Sequence, residues 1–402
     1  MNELTLETVR ATVAGTAAAF RRITEYQPAG GVGDKLFPPT YEGGRYAVET
    51  RLIEGNPDPV DCVLIDSVQS QANRMEAALL ETHRSGRITL PLVVAHFDQE
   101  SLLKKFTVSS LDAPHRVADA IFRDSLLDRT IFRQSEKGRI LDTADVRNAT
   151  GLFGLCPTAL VFGLWDSTGP RGGLGAKFQR AIVSEMTGYD AIVGVKTSSR
   201  IDPAQIMLGA GPLHHRKQLS DEAPDWTLDS KAGGKKLGRD GKPSEANHGN
   251  VTPGINAGGF TIGKAVQTTV LSLTCLRRLR FPLDGVVDSD PAVDQAARSV
   301  LAALGLAAAV LSHSEMTDLR SRCQLFPTAK GAWELLDEPG ADPQTFSLSP
   351  DNAVRLFNDA VTAARDAGLP WDGEIALTPS PELVELVRRS QELAAASGEG
   401  DD

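Results

Sequence analysis

Residues 61–84 read DCVLIDSVQSQANRMEAALLETHR, and this stretch decides the class of fold. Val63, Leu64 and Ile65 make a short, continuous apolar run, the pattern of a buried strand. Beyond Ser67 the period changes. Met75, Leu79 and Leu80 fall on one side of a helix. A strand running straight into an amphipathic helix gives a mixed α and β protein.

The same signals extend in both directions. Upstream, Arg45–Ile53 reads as a strand, the Gly- and Pro-rich stretch 26–44 as a loop, and residues 5–22 (TLETVRATVAGTAAAFRR) as a helix. Downstream, Ile88–Phe97 reads as a strand. Pro114 followed by Val117, Ile121 and Leu126 reads as a second amphipathic helix. ALVFGLW (159–165) reads as a strand, STGPRGGLGAK (167–177) as a glycine-rich loop, and Phe178–Thr187 as a strand. Residues 201–258 show no period, and an irregular stretch of that length is either functional or a solvated linker. Beyond it come a short strand, Phe260–Ile262, and a helix over Ala265–Arg280. Ala292–Leu311, Pro350–Ala367 and Pro381–Ala396 read as three further helices, and the tail SGEGDD as a frayed end.

The 402 residues are 41% hydrophobic but only 5% aromatic, so a core must rest on aliphatic side chains. No apolar run approaches the roughly 18 residues of a membrane span. The N-terminal MNELTLETVR lacks the basic-then-apolar pattern of a secretory signal, and the expected compartment is the cytoplasm. Cys62, Cys156, Cys275 and Cys323 have no zinc-ligand spacing and read as buried thiols.

The net charge of -10 hides a polarity. Residues 171–280 hold 16 basic and 9 acidic side chains, a net of +7; residues 1–170 carry -4 and residues 281–402 carry -13. A basic middle between acidic flanks suits one face meeting phosphate and another a basic partner. The alternative is charge scattered over a solvated surface.

Enzyme motifs do not assemble. GGFTIGK (258–264) has the glycine and lysine spacing of a phosphate loop. Ala265 stands where magnesium needs Ser or Thr, and no strand precedes the first glycine. His214 and His215 are adjacent and point apart. Together with His248 they lack an acidic or thiolate partner for a metal. There is no GxSxG elbow. The expectation is a protein that is not an enzyme, with no cofactor and no metal.

The basic region carries the nucleic-acid reading. Arg171, Lys177 and Arg180 bracket the glycine-rich loop, and Lys196 follows. His215, Arg216 and Lys217 come next, then Lys231, Lys235, Lys236, Arg239 and Lys242. Glycines let backbone N–H groups approach phosphate, and the cations release counterions. Gln69, Asn73 and Arg74, at a helix start, form a second candidate set for sugars, phosphates or base edges. A polar capping turn has the same composition.

Five stretches carry a resemblance: LFPPTYEGGRYAVE (36–49), LIDSVQSQANRMEAALLE (64–81), DAPHRVADAIFRDS (112–125), GPRGGLGAKFQRAIVSEMTGYDA (169–191) and FTIGKAVQTTVLSLTCLRRLRFP (260–282). Together they resemble the backbone subunit of type I-G (formerly I-U) CRISPR interference complexes (Cascade), the "Cas-seven" group of the RAMP superfamily. The resemblance implies an α+β fold: an RRM-like, ferredoxin-like antiparallel sheet with helices, enlarged by insertions into palm, fingers and a thumb-like loop. It implies a core over 1–330, with the thumb in about 201–258, and a helix-rich acidic extension over 331–402 packed on it. The implied role is non-catalytic antiviral defence. Copies polymerise head to tail along a guide RNA (crRNA), which pairs with target DNA. The partners implied are the crRNA, target DNA through the guide, further copies of the chain, a large subunit and a crRNA-processing subunit, with no membrane. The competing reading is an RNA-processing endoribonuclease of the same superfamily, with His214, His215 or His248 as general base.

Overall fold

The computed structural model describes residues 2–167, 175–218, 222–283, 288–315 and 317–397. The chain divides into two compact units. The first comprises Met1–Ile192 and Phe260–Arg388, and the second Val193–Gly259 with residues 389–402.

The first unit is built on six elements: β1 (Ala19–Pro28), α1 (Val68–Arg84), β2 (Ile182–Tyr189), β3 (Lys264–Ser272), α2 (Pro291–Glu315) and β4 (Leu325–Pro327). β3 lies between β1 and β2, antiparallel to both, and β4 pairs antiparallel with the outer side of β1. The order β4-β1-β3-β2, with α1 and α2 as crossovers, is the βαββαβ topology of a ferredoxin-like sheet. The protein is therefore α+β, as expected. Val60–Asp66 and Val48–Arg51 extend the sheet beyond β2. Trp333–Leu336, Gln344–Ser347 and Asn2–Glu3 extend it beyond β1.

Alternation explains β3. Ala265, Gln267, Thr269 and Leu271 are buried while the intervening side chains face outward. Val266, Thr268, Thr269 and Val270 are β-branched or at home in a pleated strand. The helix expected over Ala265–Arg280 is thus corrected. Only Leu273–Arg277 is helical, started by the Ser272 hydroxyl, which accepts from the Cys275 N–H at 3.1 Å.

The helix expected over residues 5–22 is likewise shorter. Thr5 caps its start, it runs Leu6–Ala14, and it ends at Gly15. Ala19 onward is β1, with Phe20, Thr24 and Tyr26 turned into the core. ALVFGLW is not a strand throughout: Thr158–Phe162 is helical, wholly buried, and only Leu164–Trp165 is extended. An all-apolar run gives no period by which to tell the two apart. The amphipathic helix expected from Pro114 resolves into a 3-10 turn at Arg116–Ala118, a one-turn helix at Ala120–Arg123 and a strand at Ser125–Leu127. The strand expected over Ile88–Phe97 begins at Leu92.

A second sheet of the same unit joins Leu92–Phe97 to Phe106–Ser109 and, in parallel, to Glu374–Pro379, which pairs with Ser125–Leu127. α2 runs through the core. By length and composition Pro291–Ser314 would suffice to cross a membrane, but 94% of its apolar window is buried inside the protein, which marks a core helix. Pro350–Asp366 packs on the same cluster through Val354, Leu356 and Phe357. Cys62, Cys156, Cys275 and Cys323 are buried free thiols.

The second unit corrects the irregular reading of 201–258. Ile192–Arg200 and Val251–Thr261 pair as a two-stranded ribbon, so order resumes at Val251 rather than Gly259. Between them His214–Arg216 sits in a three-stranded sheet, flanked by Trp226–Thr227 and Gly233–Lys236. Leu213 and Leu237 are buried there. The Glu245 carboxylate gathers the N–H groups of Arg239, Asp240 and Lys242 at 2.9–3.1 Å, which order a basic turn.

Candidate nucleic-acid interface

A cleft of about 570 Å³ opens on the first unit. Its walls come from Pro114–Arg116, from the segment Leu160–Trp165, from Lys177–Arg180 and from Cys275–Leu279. Two antiparallel pairs, Leu164 with Phe178 and Trp165 with Lys177, set its geometry. Leu164 and Phe178 are buried, so their neighbours Trp165 and Lys177 face out. Lys177 Nζ lies 5.9 Å from the Trp165 ring centroid.

Gly163 is the pivot. Its φ of +87° is open to glycine, and a Cβ there would come within 3.2 Å of the Arg180 N and 3.3 Å of the Phe178 O. Its carbonyl accepts from Arg116 Nη1 at 3.0 Å. Arg116 meets both oxygens of buried Glu76 in a fork, at 2.7 and 2.8 Å, a geometry that orients as well as attracts. Burial raises the Glu76 carboxyl above the ordinary value, with the Arg116 guanidinium acting against that rise. Arg180 donates to the carbonyls of Phe162 and Val68, both at 3.2 Å. These dipoles engage two of its donors without cancelling its charge. Burial, and Arg116 nearby, lower its pKa from the ordinary arginine value, and a guanidinium so lowered remains cationic.

Among the described lining residues His115, Arg116, Lys177, Arg180 and Arg278 are basic and none is acidic. His115, Lys177, Gln179 and Arg278 are exposed, and Arg278 donates to Gln179 Oε1 at 3.1 Å. The floor is apolar, with Leu160, Phe162 and Leu279 buried. A cationic rim over an apolar floor can hold a phosphate backbone while excluding water from the group beneath it.

Lys177 and Arg180 of the sequence candidates meet in this cleft. Arg171 lies outside the described residues. Gln69 and Asn73 are exposed on α1, whereas Arg74 is held by Asp66 at 3.0 Å and by the Leu319 carbonyl at 2.8 Å. The remaining candidates belong to the second unit. Lys196, His215, Lys217, Lys231, Lys235, Lys236, Arg239 and Lys242 are exposed there. Arg216 bonds the carbonyls of Pro224 and Trp226, and Lys242 faces Asp240 at 3.1 Å. Residues 193–259 carry nine Lys and Arg against seven Asp and Glu. Most of the positive excess of the basic middle therefore lies outside the insertion, at Lys177, Arg180 and the Arg277–Arg280 segment. Trp165, Gln179 and Arg278 escaped the sequence reading. A tryptophan beside a glycine-rich loop, in a chain so poor in aromatics, was the available signal.

In GGFTIGK, residues 258–261 end one strand and Lys264, paired with Glu25, begins the next. The segment presents no helix N-terminus to phosphate. Among the described residues no group of three or more His, Cys, Asp or Glu is placed to hold a metal.

Residues 21–193 match the family model described as CRISPR-associated protein GSU0053. That span contains three cleft walls, with His115, Trp165, Lys177 and Arg180; Arg278 falls beyond it. No curated protein matches the chain. The similarity is to a CRISPR-associated family and points to a role in CRISPR defence.

Proposed function

We propose that this chain is a crRNA-binding backbone subunit of a type I-G CRISPR interference complex. It acts in the cytoplasm as a non-catalytic member of the RAMP superfamily. One observation carries the reading: the cleft of the first unit is lined by five basic side chains and no acidic one among the described residues. A subunit that must accept any guide needs contacts to phosphate, sugar and shape rather than to base edges. Lysine and arginine over a glycine-hinged wall provide them. The insertion, with its exposed Lys231, Lys235, Lys236 and Arg239, is the thumb of this reading. Copies joined head to tail along the guide then form a filament by a heterologous interface.

The experiment is size-exclusion chromatography with light scattering on the full chain, with and without a repeat–spacer RNA. Expected are particles whose mass grows with RNA length and collapses on ribonuclease treatment, with the RNA recovered intact. A chain that stays monomeric and ignores RNA overturns the reading. Metal-independent cleavage of the RNA would replace it with the processing enzyme.

A further inference from the structure

Trp165 is 67% exposed, although a large ring gains most from burial. The other three tryptophans have company. Trp333 is buried, Trp371 packs on Phe153 and Phe357, and Trp226 meets His248 edge-on. Trp165 is also not on a loose loop. It is one residue of a two-strand pair whose buried members, Leu164 and Phe178, anchor it from behind. Gly163 and the Arg116–Glu76 fork fix the backbone just before it. The ring is therefore presented rigidly at the wall of a cleft with an apolar floor and a cationic rim.

We propose that Trp165 is a stacking platform for one unpaired nucleobase of the bound RNA. Lys177 and Arg278 take the phosphates on either side, and the buried apolar floor excludes water from the base. This rests on the RNA-binding reading above and adds to it. The subunit grips a base by its π-face, which every nucleobase has, so the grip is tolerant of sequence. The cleft volume lies within the roughly 300–1,000 Å³ usual for sites that enclose a small molecule. It therefore suits a single inserted base and not a duplex. Lys177 beside the indole adds charge where the ring face is most negative.

The test uses the full chain and two single-stranded oligomers of equal length and charge, an oligouridylate and its abasic ribose-phosphate counterpart. Wild-type protein is expected to bind the oligouridylate about 5- to 140-fold more tightly than the abasic chain, the range given by one stacked base. Trp165→Ala should erase most of that difference by weakening oligouridylate binding. Trp165→Phe should restore much of it. Oligouridylate should also quench a part of the tryptophan emission that Trp165→Phe lacks. Equal affinity of the wild type for both oligomers, or undiminished oligouridylate affinity in Trp165→Ala, overturns the stacking platform while leaving the phosphate groove standing. Binding of neither oligomer by the wild type overturns the RNA-binding reading and this inference with it.

Discussion

The Gln267 side-chain amide donates to the Gln71 Oε1 across 2.6 Å, joining β3 to α1 inside the first unit. The bond is one link in a directed chain. Tyr26 Oη donates to Gln267 Oε1 at 2.6 Å, and Gln71 Nε2 donates to Asp66 Oδ2 at 2.7 Å. Ser184 on β2 donates to Gln71 Oε1 as well, at 2.9 Å. All of these side chains are buried. In such surroundings satisfied polar groups reinforce one another and unsatisfied ones are costly. The glutamines of SVQSQANRME and AVQTTV thus hold the helix on the sheet, and this leaves Gln69 and Asn73 exposed on α1.

Gln71→Ala should therefore cost stability. It removes one bond each from Gln267, Ser184 and Asp66, so about 2–4 kcal/mol is expected from the three deleted bonds and the weakened network. Gln267→Ala should lose a similar amount. The double variant should fall short of the sum, because the two share one network. Urea unfolding of the three proteins measures this. Full additivity would dissolve the network.

A pH effect enters at the other end of the chain. His313 Nδ1 is 2.6 Å from Tyr26 Oη, and burial lowers the imidazole to about 4, with Arg22 adding to the effect. Since the unfolded chain binds a proton near the ordinary value of 6.5, stability is full above that pH and declines as pH falls from 6.5 to about 4. Over the whole window the loss has a ceiling of about 3 kcal/mol, reduced by partial exposure of the ring. His313→Gln should flatten the unfolding midpoint over this pH range. An unchanged slope would assign the acid sensitivity elsewhere.

Much of the fold was readable where composition and period agreed. Met75, Leu79 and Leu80 marked α1, and the alanine-rich run marked α2; both stand where expected. The errors have physical causes. In β3 the buried polar residues Gln267 and Thr269 masked a period of two. In Thr158–Phe162 complete burial erased any period. Trp333–Leu336 and Gln344–Ser347 are too short to announce themselves and depend on β1 for pairing. The cleft was half legible. Lys177 and Arg180 could be named from charge near glycines. Arg278 and His115 arrive from distant segments and are brought there only by tertiary structure.

The Arg116–Glu76 fork makes a further prediction. Arg116 holds a φ of +51°, so an unfavourable backbone conformation is stabilised by the bonds it makes. Glu76→Gln leaves a buried guanidinium without its counter-charge, which costs about 3–5 kcal/mol. The damage should spread to the cleft through the Gly163 carbonyl. Thermal unfolding should show the loss, and RNA affinity of the folded fraction should drop with it. A variant as stable as the parent would mean the pair is not ionised.

The cleft and the insertion can be separated by salt. Each phosphate neutralised on a single strand contributes a slope of roughly 0.7 in the logarithm of affinity against the logarithm of salt. Lys177→Ala with Arg278→Ala removes two exposed cations from the cleft rim, so the slope for a short single-stranded RNA should fall by about 1.4. Neither residue is tied into the buried forks, so the midpoint of unfolding should not move. Lys235→Glu with Lys236→Glu reverses two exposed charges on a strand of the second unit. That unit carries nearly balanced charge, and in the thumb reading it meets the neighbouring copy and the guide–target duplex. Its effect should therefore be small on a short RNA and larger on a long repeat–spacer RNA that recruits several copies. If the short RNA responds more to the insertion variant than to the cleft variant, the principal phosphate contacts lie on the insertion, and the cleft loses its place as the guide-binding groove.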